Sequence, residues 1–424
     1  MKYNIYTLGC KVNEYESEYM ESLLENHGYT KSQIPDIVII NTCTVTNNAD
    51  SKSRKMIRRA RKQFKDALLI VCGCMVQNKK DKDIDADIII GNEGKSEIIN
   101  YIKDYNNKKI YDVKDIFKSK FENMNLTDFD RVRAYIKIQD GCDNYCSFCI
   151  IPYVRGHLRS KKKEDVLKEA RDIVNSGHRE IVLTGIHTGN YHDEEYEFAD
   201  LLKDLTKIQG LKRLRISSIE ITEINEKVLE VIKNKKILTD HMHIPLQSGS
   251  DNILKLMNRK YDTKLFEKII KKIRDIRPNI SITTDVITGF PGETEEFFEQ
   301  TLNFIKKIKF TKLHVFPYSD RKGTKASTMD GKIDGKVKKE RVKKLIDLSK
   351  KLELEYMEKH IKTKTSFIPE TYEEGYLIGH TGNYLQIKAK GSKDLIGKEI
   401  LIEIENIDYP YMISKVIDND KNVW

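Results

Sequence analysis

What this chain of 424 residues lacks narrows its class before any motif is considered. No apolar run approaches the length needed to span a bilayer. The first ten residues, from Met1 to Cys10, have no apolar core of the kind a secretory signal requires. The cysteines do not come in pairs. There are seven, an odd number, and their spacing does not suit a small disulfide scaffold. These absences argue against an integral membrane protein and against a stapled secreted domain. They lead to the expectation of a soluble cytoplasmic protein with no membrane partner, whose thiols stay reduced and available to metal.

What is present points further. The length implies two or three domains, and 39% hydrophobic residues can fill real cores. A net charge of +10 favours anionic partners, nucleic acid first. Lys, Ile and Asn run throughout the chain, however, so the charge reflects broad composition as much as a focused patch.

The first hundred residues alternate strand and helix. Strands are expected at 3–8, 36–42, 67–71 and 87–90, with helices at 14–27 (closed by Gly28) and from a cap at Asp50 or Ser51 to residue 64. Alternation of this kind implies a parallel sheet. Cys10, Cys43 and Cys74 each follow a strand, and loops after parallel strands gather on one edge of the sheet. Three cysteines far apart in sequence should therefore meet there and form a three-ligand iron–sulfur site. Cys72 lies inside an apolar run and reads as a buried core thiol.

The centre of the chain carries Cys142, Cys146 and Cys149, spaced C-x3-C-x2-C. Iron–sulfur cubanes are usually held by four thiolates, so a loop with three leaves one iron open to a small chelating molecule. Zinc knuckles use C-x2-C pairs with a second pair nearby, and none follows here. Residues 105–130 read as a polar linker. Beyond them, strands are expected at 135–138, 180–183, 214–216, 242–244, 281–287 and 312–316, with intervening helices. Six such units fit a partial (β/α)6 barrel, whose unusual residues sit where strands end. A charged helix at 336–362 precedes a tail with short alternating strands and Gly-rich turns, which fits a small C-terminal β-barrel.

The cysteine loop, with Phe148 directly before its last Cys, resembles the signature of the radical S-adenosylmethionine (SAM) enzymes. In that superfamily SAM binds the open iron and is cleaved to a 5′-deoxyadenosyl radical. The order of Cys10, Cys43 and Cys74, then the central triplet, then a β module resembles the methylthiotransferases over nearly the whole chain. Local runs carry the likeness: Leu8 to Asn13, Asn41 to Cys43, Gly73 to Gln77, Ile151 to Gly156, Pro245 to Ser250, and Asp285 to Thr294. The resemblance implies an N-terminal methylthiotransferase domain at 1–120 with its own cluster, a radical SAM core at 131–361, and a TRAM-like RNA-binding barrel at 362–424. It implies two [4Fe–4S] clusters, held by Cys10, Cys43 and Cys74 and by Cys142, Cys146 and Cys149, and two SAM molecules. The substrate implied is C2 of an adenine at position 37 in the anticodon stem–loop of tRNA, with an external electron donor and a sulfur source. Cys10-Lys11-Val12-Asn13 resembles the branch that acts on threonylcarbamoyl-adenosine. Two sister branches modify isopentenyl-adenosine in tRNA or an aspartate of a ribosomal protein.

Around SAM, the expected contacts are Gly185 and Gly189 after the second barrel strand, Glu220, Gln247 and Ser248 after the third and fourth, and Asp285 and Gly289 on the fifth. Each polar one among them could instead satisfy local backbone. Tyr145 and Phe148 either flank the adenine or pack the loop. His241 and His243 are expected as satisfied polar groups inside the barrel. The helix of residues 52–62, with Arg54, Arg58, Arg59 and Arg61, is the first candidate for RNA phosphates. Arg159, Lys161, Lys162 and Lys163 and the block 336–344 are further candidates, against the alternative of solvated faces. Tyr376, Tyr384, Tyr409 and Tyr411 either stack on bases or pack the C-terminal core.

Overall fold

A computed structural model describes residues 1–79, 84–127 and 129–417. The end of the expected C-terminal segment, residues 418–424, lies outside the described residues. The N-terminal sheet has six parallel strands in the order Thr30–Lys31, Lys2–Thr7, Ile37–Thr42, Leu68–Gly73, Ile88–Ile90 and Ile110–Asp112. The first and last were not expected. Ile110–Asp112 and the buried Met124, Leu126 and Phe129 come from the stretch read as a linker. Its charge density masks isolated apolar anchors that bridge to the central core.

Two helix starts also differ. The first helix is Lys11–Asn26, with Cys10 at its N-cap, three residues earlier than read. The second is Asn47–Gln63, capped by the Thr46 hydroxyl, which accepts from the Ala49 amide. Asp50 lies inside the first turn and accepts from the Thr44 hydroxyl at 2.8 Å. Cys72 is fully buried in the sheet core, as its apolar setting predicts, and burial pushes its thiol up to about 12.

The central strands follow one another in space. Arg133–Lys137, Glu180–Thr184 and Arg213–Ile216 form one parallel group; His241–His243, Ser281–Thr288 and Lys312–Pro317 form the next. A bridge between Leu214 and Leu238 joins the two groups. Among the described pairings none links the last strand to the first, so the barrel stays open on that side. One large apolar core fills the space between strands and outer helices. The C-terminal part is a closed five-stranded barrel built from Lys364–Glu373, Tyr376–Thr381, Gln386–Lys390, Ile400–Asp408 and Tyr411–Val416. No helix among the described residues is long and apolar enough to cross a membrane.

Candidate active site

The three N-terminal cysteines meet at the carboxyl edge of the first sheet, as the topology requires. Gly9 sits at φ +115°, and a Cβ there would lie 2.9 Å from the Cys43 Cβ and 3.1 Å from its sulfur. Only glycine lets the first loop approach the second so closely. Asn13 clamps both loops, donating to the Leu8 carbonyl at 2.7 Å and the Thr42 carbonyl at 3.0 Å. The Asn92 amide donates to the Cys74 sulfur at 3.4 Å. Cys43 and Cys74 are buried, whereas Cys10 keeps an accessible surface. Burial nonetheless raises the Cys10 thiol, and raises Cys43 to about 11. A thiol that is accessible yet surrounded by protein belongs on the wall of a chamber.

The central loop is held as firmly. The Cys142 amide donates to the Gly156 carbonyl at 3.1 Å, and the Ser147 amide to the Met257 carbonyl at 3.0 Å. Two thiols each have a cation backed by a carboxylate. Arg259 donates to the Cys146 sulfur at 3.1 Å and pairs with Glu220. His187 pairs with Glu223. Burial alone would lower His187, but hydrogen bonding to Cys142 and Glu223 carries it up to about 10. Burial raises Cys146, and pushes Cys149 up to about 12.

The fit to iron–sulfur clusters follows from this chemistry. Soft thiolates are the donors such clusters take. Among the described residues no three His, Cys, Asp or Glu side chains converge on a single ion. Raised thiols keep their protons until a metal displaces them, and the donors from Arg259, His187 and Asn92 would then serve the bound sulfurs.

Between the two cysteine sets lies a buried knot of charge. Arg155 is wholly inaccessible and donates to Glu16 at 2.9 Å, to both Asp140 oxygens at 3.0 and 3.1 Å, and to the Asn13 oxygen at 2.7 Å. Lys137 pairs with Glu16 and Asp140, each at 2.7 Å, and Lys95 pairs with Glu16. Burial would raise Glu16, but the three cations hold it well below the usual carboxylate range. Two acids face these three bases and Arg159, which lies 3.7 Å from Asp140, leaving a surplus of positive charge beside Cys10 and Cys74, whose fields Arg155 feels. Glu16 comes from the N-terminal domain and Arg155, Asp140 and Lys137 from the barrel, so the knot fixes one cysteine set against the other.

The residues expected to contact the cofactor separate into groups. Glu220 and Asp285 retain accessible surface at the strand ends; Asp285 lies 3.3 Å from His243. Gln247 adopts φ +64°, and its backbone continues the ladder with Asp285 and Ile287. Tyr145 is 38% exposed and meets Tyr153 edge to face, leaving its ring available. Phe148 packs edge to face against Phe290 beside a small apolar cluster and stays partly exposed. Side chains at Gly185 and Gly189 would press on Gln139 and collide with Glu223, so both glycines serve close packing around the strand ends. Ser248 is fully buried, with its hydroxyl on Thr301. At Gly289 a Cβ would collide with the Lys338 stem, so the glycine admits the long helix Gly335–Glu358. His241 is satisfied only in part: its Nε2 meets the Thr283 hydroxyl at 3.1 Å, while its Nδ1 is buried with no hydrogen-bond partner among the described residues.

Arg58 and Arg59 are exposed, but Arg61 is tied to Asp87 at 2.8 Å and Arg54 to Asp50 at 3.2 Å. Lys161 is buried on Glu169 at 2.6 Å, and Arg159 donates to the Arg155 carbonyl at 2.6 Å; neither faces solvent as a phosphate contact would. Tyr384 is not a base-stacking platform. Its ring lies between His241 and His380, 4.6 Å from each, with Arg215 over it at 4.8 Å. The C-terminal barrel is thus keyed into the central one. Tyr376, beneath Lys388 at 4.7 Å, and the exposed Tyr409 remain available. Sequence reasoning missed Arg259, His187, Arg155 and Glu16. His187 follows the strand end at Thr184, which is a usable signal; the other pairings exist only in three dimensions.

An open parallel barrel with a three-cysteine loop at its strand ends defines a radical SAM enzyme, and residues 136–305 match the radical SAM superfamily. Residues 2–91 match the uncharacterized protein family UPF0004. A radical SAM methyltransferase from Kitasatospora setae shares the fold over 74% of this chain and 72% of its own, at TM-score 0.55 and 14% identity. Among curated relatives, a threonylcarbamoyladenosine tRNA methylthiotransferase of Bacillus subtilis is 45% identical, over 96% of this chain and 94% of its own length. One from Thermotoga maritima is 36% identical over 97% and 96%. A tRNA-2-methylthio-N(6)-dimethylallyladenosine synthase of Alkaliphilus oremlandii is 34% identical over 95% and 90%. The chain belongs to the radical SAM methylthiotransferase family. It is a transferase whose cofactors are SAM and [4Fe–4S] iron–sulfur clusters.

Proposed function

We propose that this chain methylthiolates C2 of N6-threonylcarbamoyladenosine at position 37 of tRNA, giving the 2-methylthio derivative. In this reading it uses two [4Fe–4S] clusters, two SAM molecules, an external electron donor and a sulfur source. The observation that carries it is the pair of three-cysteine sites, one in each domain, fixed to each other by the buried knot around Arg155 and Glu16. When bound, the central cluster with its SAM would supply the radical chemistry that an unreactive C2–H needs, and the N-terminal cluster would carry the sulfur that is methylated and transferred.

The chain's own residues position and shield. Arg259 and His187 set cations at Cys146 and Cys142, balanced by Glu220 and Glu223. Arg155 holds the Asn13 clamp that joins the Cys10 and Cys43 loops. Fixing two reacting sites in one frame contributes to rate by orientation. Exposed Arg58 and Arg59 are candidates for the phosphates of the anticodon stem–loop. The threonylcarbamoyl assignment is supported by the names of the relatives at 45% and 36% identity and by Lys11-Val12 beside Cys10.

Nucleoside mass spectrometry of tRNA from cells with and without the gene tests it. The expected result is loss of the methylthio group from threonylcarbamoyladenosine alone. Loss from isopentenyladenosine instead would overturn the substrate.

A further inference from the structure

Lys11 is the first residue of the helix capped by Cys10, and it stands apart from the cations around it. Arg133 has Glu370 at 2.9 Å, Arg215 has Glu180 at 2.7 Å, and Lys312 has Glu353 at 2.8 Å. Among the described residues Lys11 has no hydrogen-bond or ion-pair partner. Glu14, the acid on its own helix turn, is taken by Arg131 at 3.0 Å. Lys11 is only half-buried, yet it lies in the field of Arg133, Arg215 and the Tyr384 hydroxyl, and it acts on His241 and His314. Its side chain therefore lies toward the interior of the open barrel.

The wall it faces is accessible and short of free acid. Asp285 pairs with His314, and Ile287 with Phe316, on alternate rungs of neighbouring strands with Val286 and Val315 between them, so these side chains share the inner face. His314 is exposed and Phe316 is 45% exposed, unusual for barrel-lining positions. Asp285 is engaged by His243. Beside the accessible Cys10 there is thus a partly solvated cation that no carboxylate among the described residues engages, and an anion entering the chamber would meet it unpaired.

Threonylcarbamoyladenosine carries a free carboxylate on its N6 substituent, whereas the isopentenyl group is pure hydrocarbon. We propose that Lys11 is a specificity-determining residue whose ammonium pairs with the carboxylate of the threonylcarbamoyl group. This rests on the substrate reading above and adds how that substrate is told from its hydrocarbon counterpart.

The test uses the full-length reconstituted enzyme and anticodon stem–loops bearing either threonylcarbamoyladenosine or its threoninamide analogue, which removes the charge and keeps the shape. A charge-assisted contact of this kind predicts that the wild-type enzyme loses about 10- to 100-fold in kcat/KM on the amide. Lys11→Met should lose about as much on the acid and treat acid and amide alike, with Lys11→Arg keeping the preference. Equal turnover of acid and amide by the wild-type enzyme overturns the inference without any variant. So does a Lys11→Met enzyme of normal iron content that keeps the wild-type preference. Wild-type turnover of the isopentenyl RNA but not the threonylcarbamoyl RNA is a different result: it overturns the substrate reading, and the role of Lys11 with it.

Discussion

Glu16→Gln isolates the knot that joins the two halves of the site. The substitution preserves shape and removes one negative charge. In the native protein Glu16 and Asp140 face Lys95, Lys137 and Arg155, all almost or wholly inaccessible. Removing Glu16 leaves three buried cations with one carboxylate. Lys95 loses its only carboxylate partner among the described residues, since its other contact is the Asn92 side-chain oxygen at 3.4 Å. Breaking a buried pair by removing one partner costs roughly 3–5 kcal/mol. For a domain of this size that corresponds to a fall of roughly 6–20 °C in the unfolding midpoint. Glu14→Gln is the control: its pair with Arg131 is more than one-third exposed and contributes at most about 1 kcal/mol. Differential scanning calorimetry under anaerobic conditions reads both. Because the knot borders Cys10 and Cys74, Glu16→Gln should also expose those thiols to alkylation in the metal-free protein. If Glu16→Gln melts with Glu14→Gln, the knot does not hold the domains together and the reasoning fails.

Three further outcomes follow from the same contacts. Glu16 is depressed in the folded state, so its stabilisation is present above the unfolded carboxylate value of about 4.3 and is lost as pH falls below it; acid titration followed by circular dichroism should show a transition there that Glu16→Gln weakens. Tyr384→Ala should cost about 3 kcal/mol or more, because it empties the space between His241 and His380, while Tyr376→Ala leaves the melting curve in place and weakens RNA binding. Arg58→Gln with Arg59→Gln should lower tRNA affinity and reduce the slope of log K against log salt by about 1–2, whereas an unchanged slope would remove that helix from the interface.

The sites and the frame were legible in the sequence to different degrees. Cys10, Cys43 and Cys74 could be brought together from sequence, because parallel-sheet topology alone puts strand-end loops on one edge. The central triplet needed only its spacing. The six barrel strands were legible because apolar runs ended in Gly, Ser, Gln or Glu. What failed was anything decided by partners distant in sequence. Lys161 looked like part of a basic surface run, yet Glu169 and the Met124 carbonyl draw it inside. Tyr384 looked like a stacking residue and is instead the key between two barrels. Residues 105–130 looked like a linker because four buried apolar anchors, Ile116, Met124, Leu126 and Phe129, are diluted among charges. Arg259 reaches Cys146 from 113 residues away, a pairing that no local pattern announces.

The central claim is a division of labour between two three-cysteine sites in one rigid frame. It is tested most directly by comparing Cys10→Ala and Cys146→Ala enzymes, reconstituted anaerobically, for SAM cleavage and for methylthiolation of tRNA in the same reaction. The account predicts that Cys10→Ala still cleaves SAM and forms no methylthio product, and that Cys146→Ala does neither. Normal SAM cleavage by Cys146→Ala, or normal methylthiolation by Cys10→Ala, would contradict it.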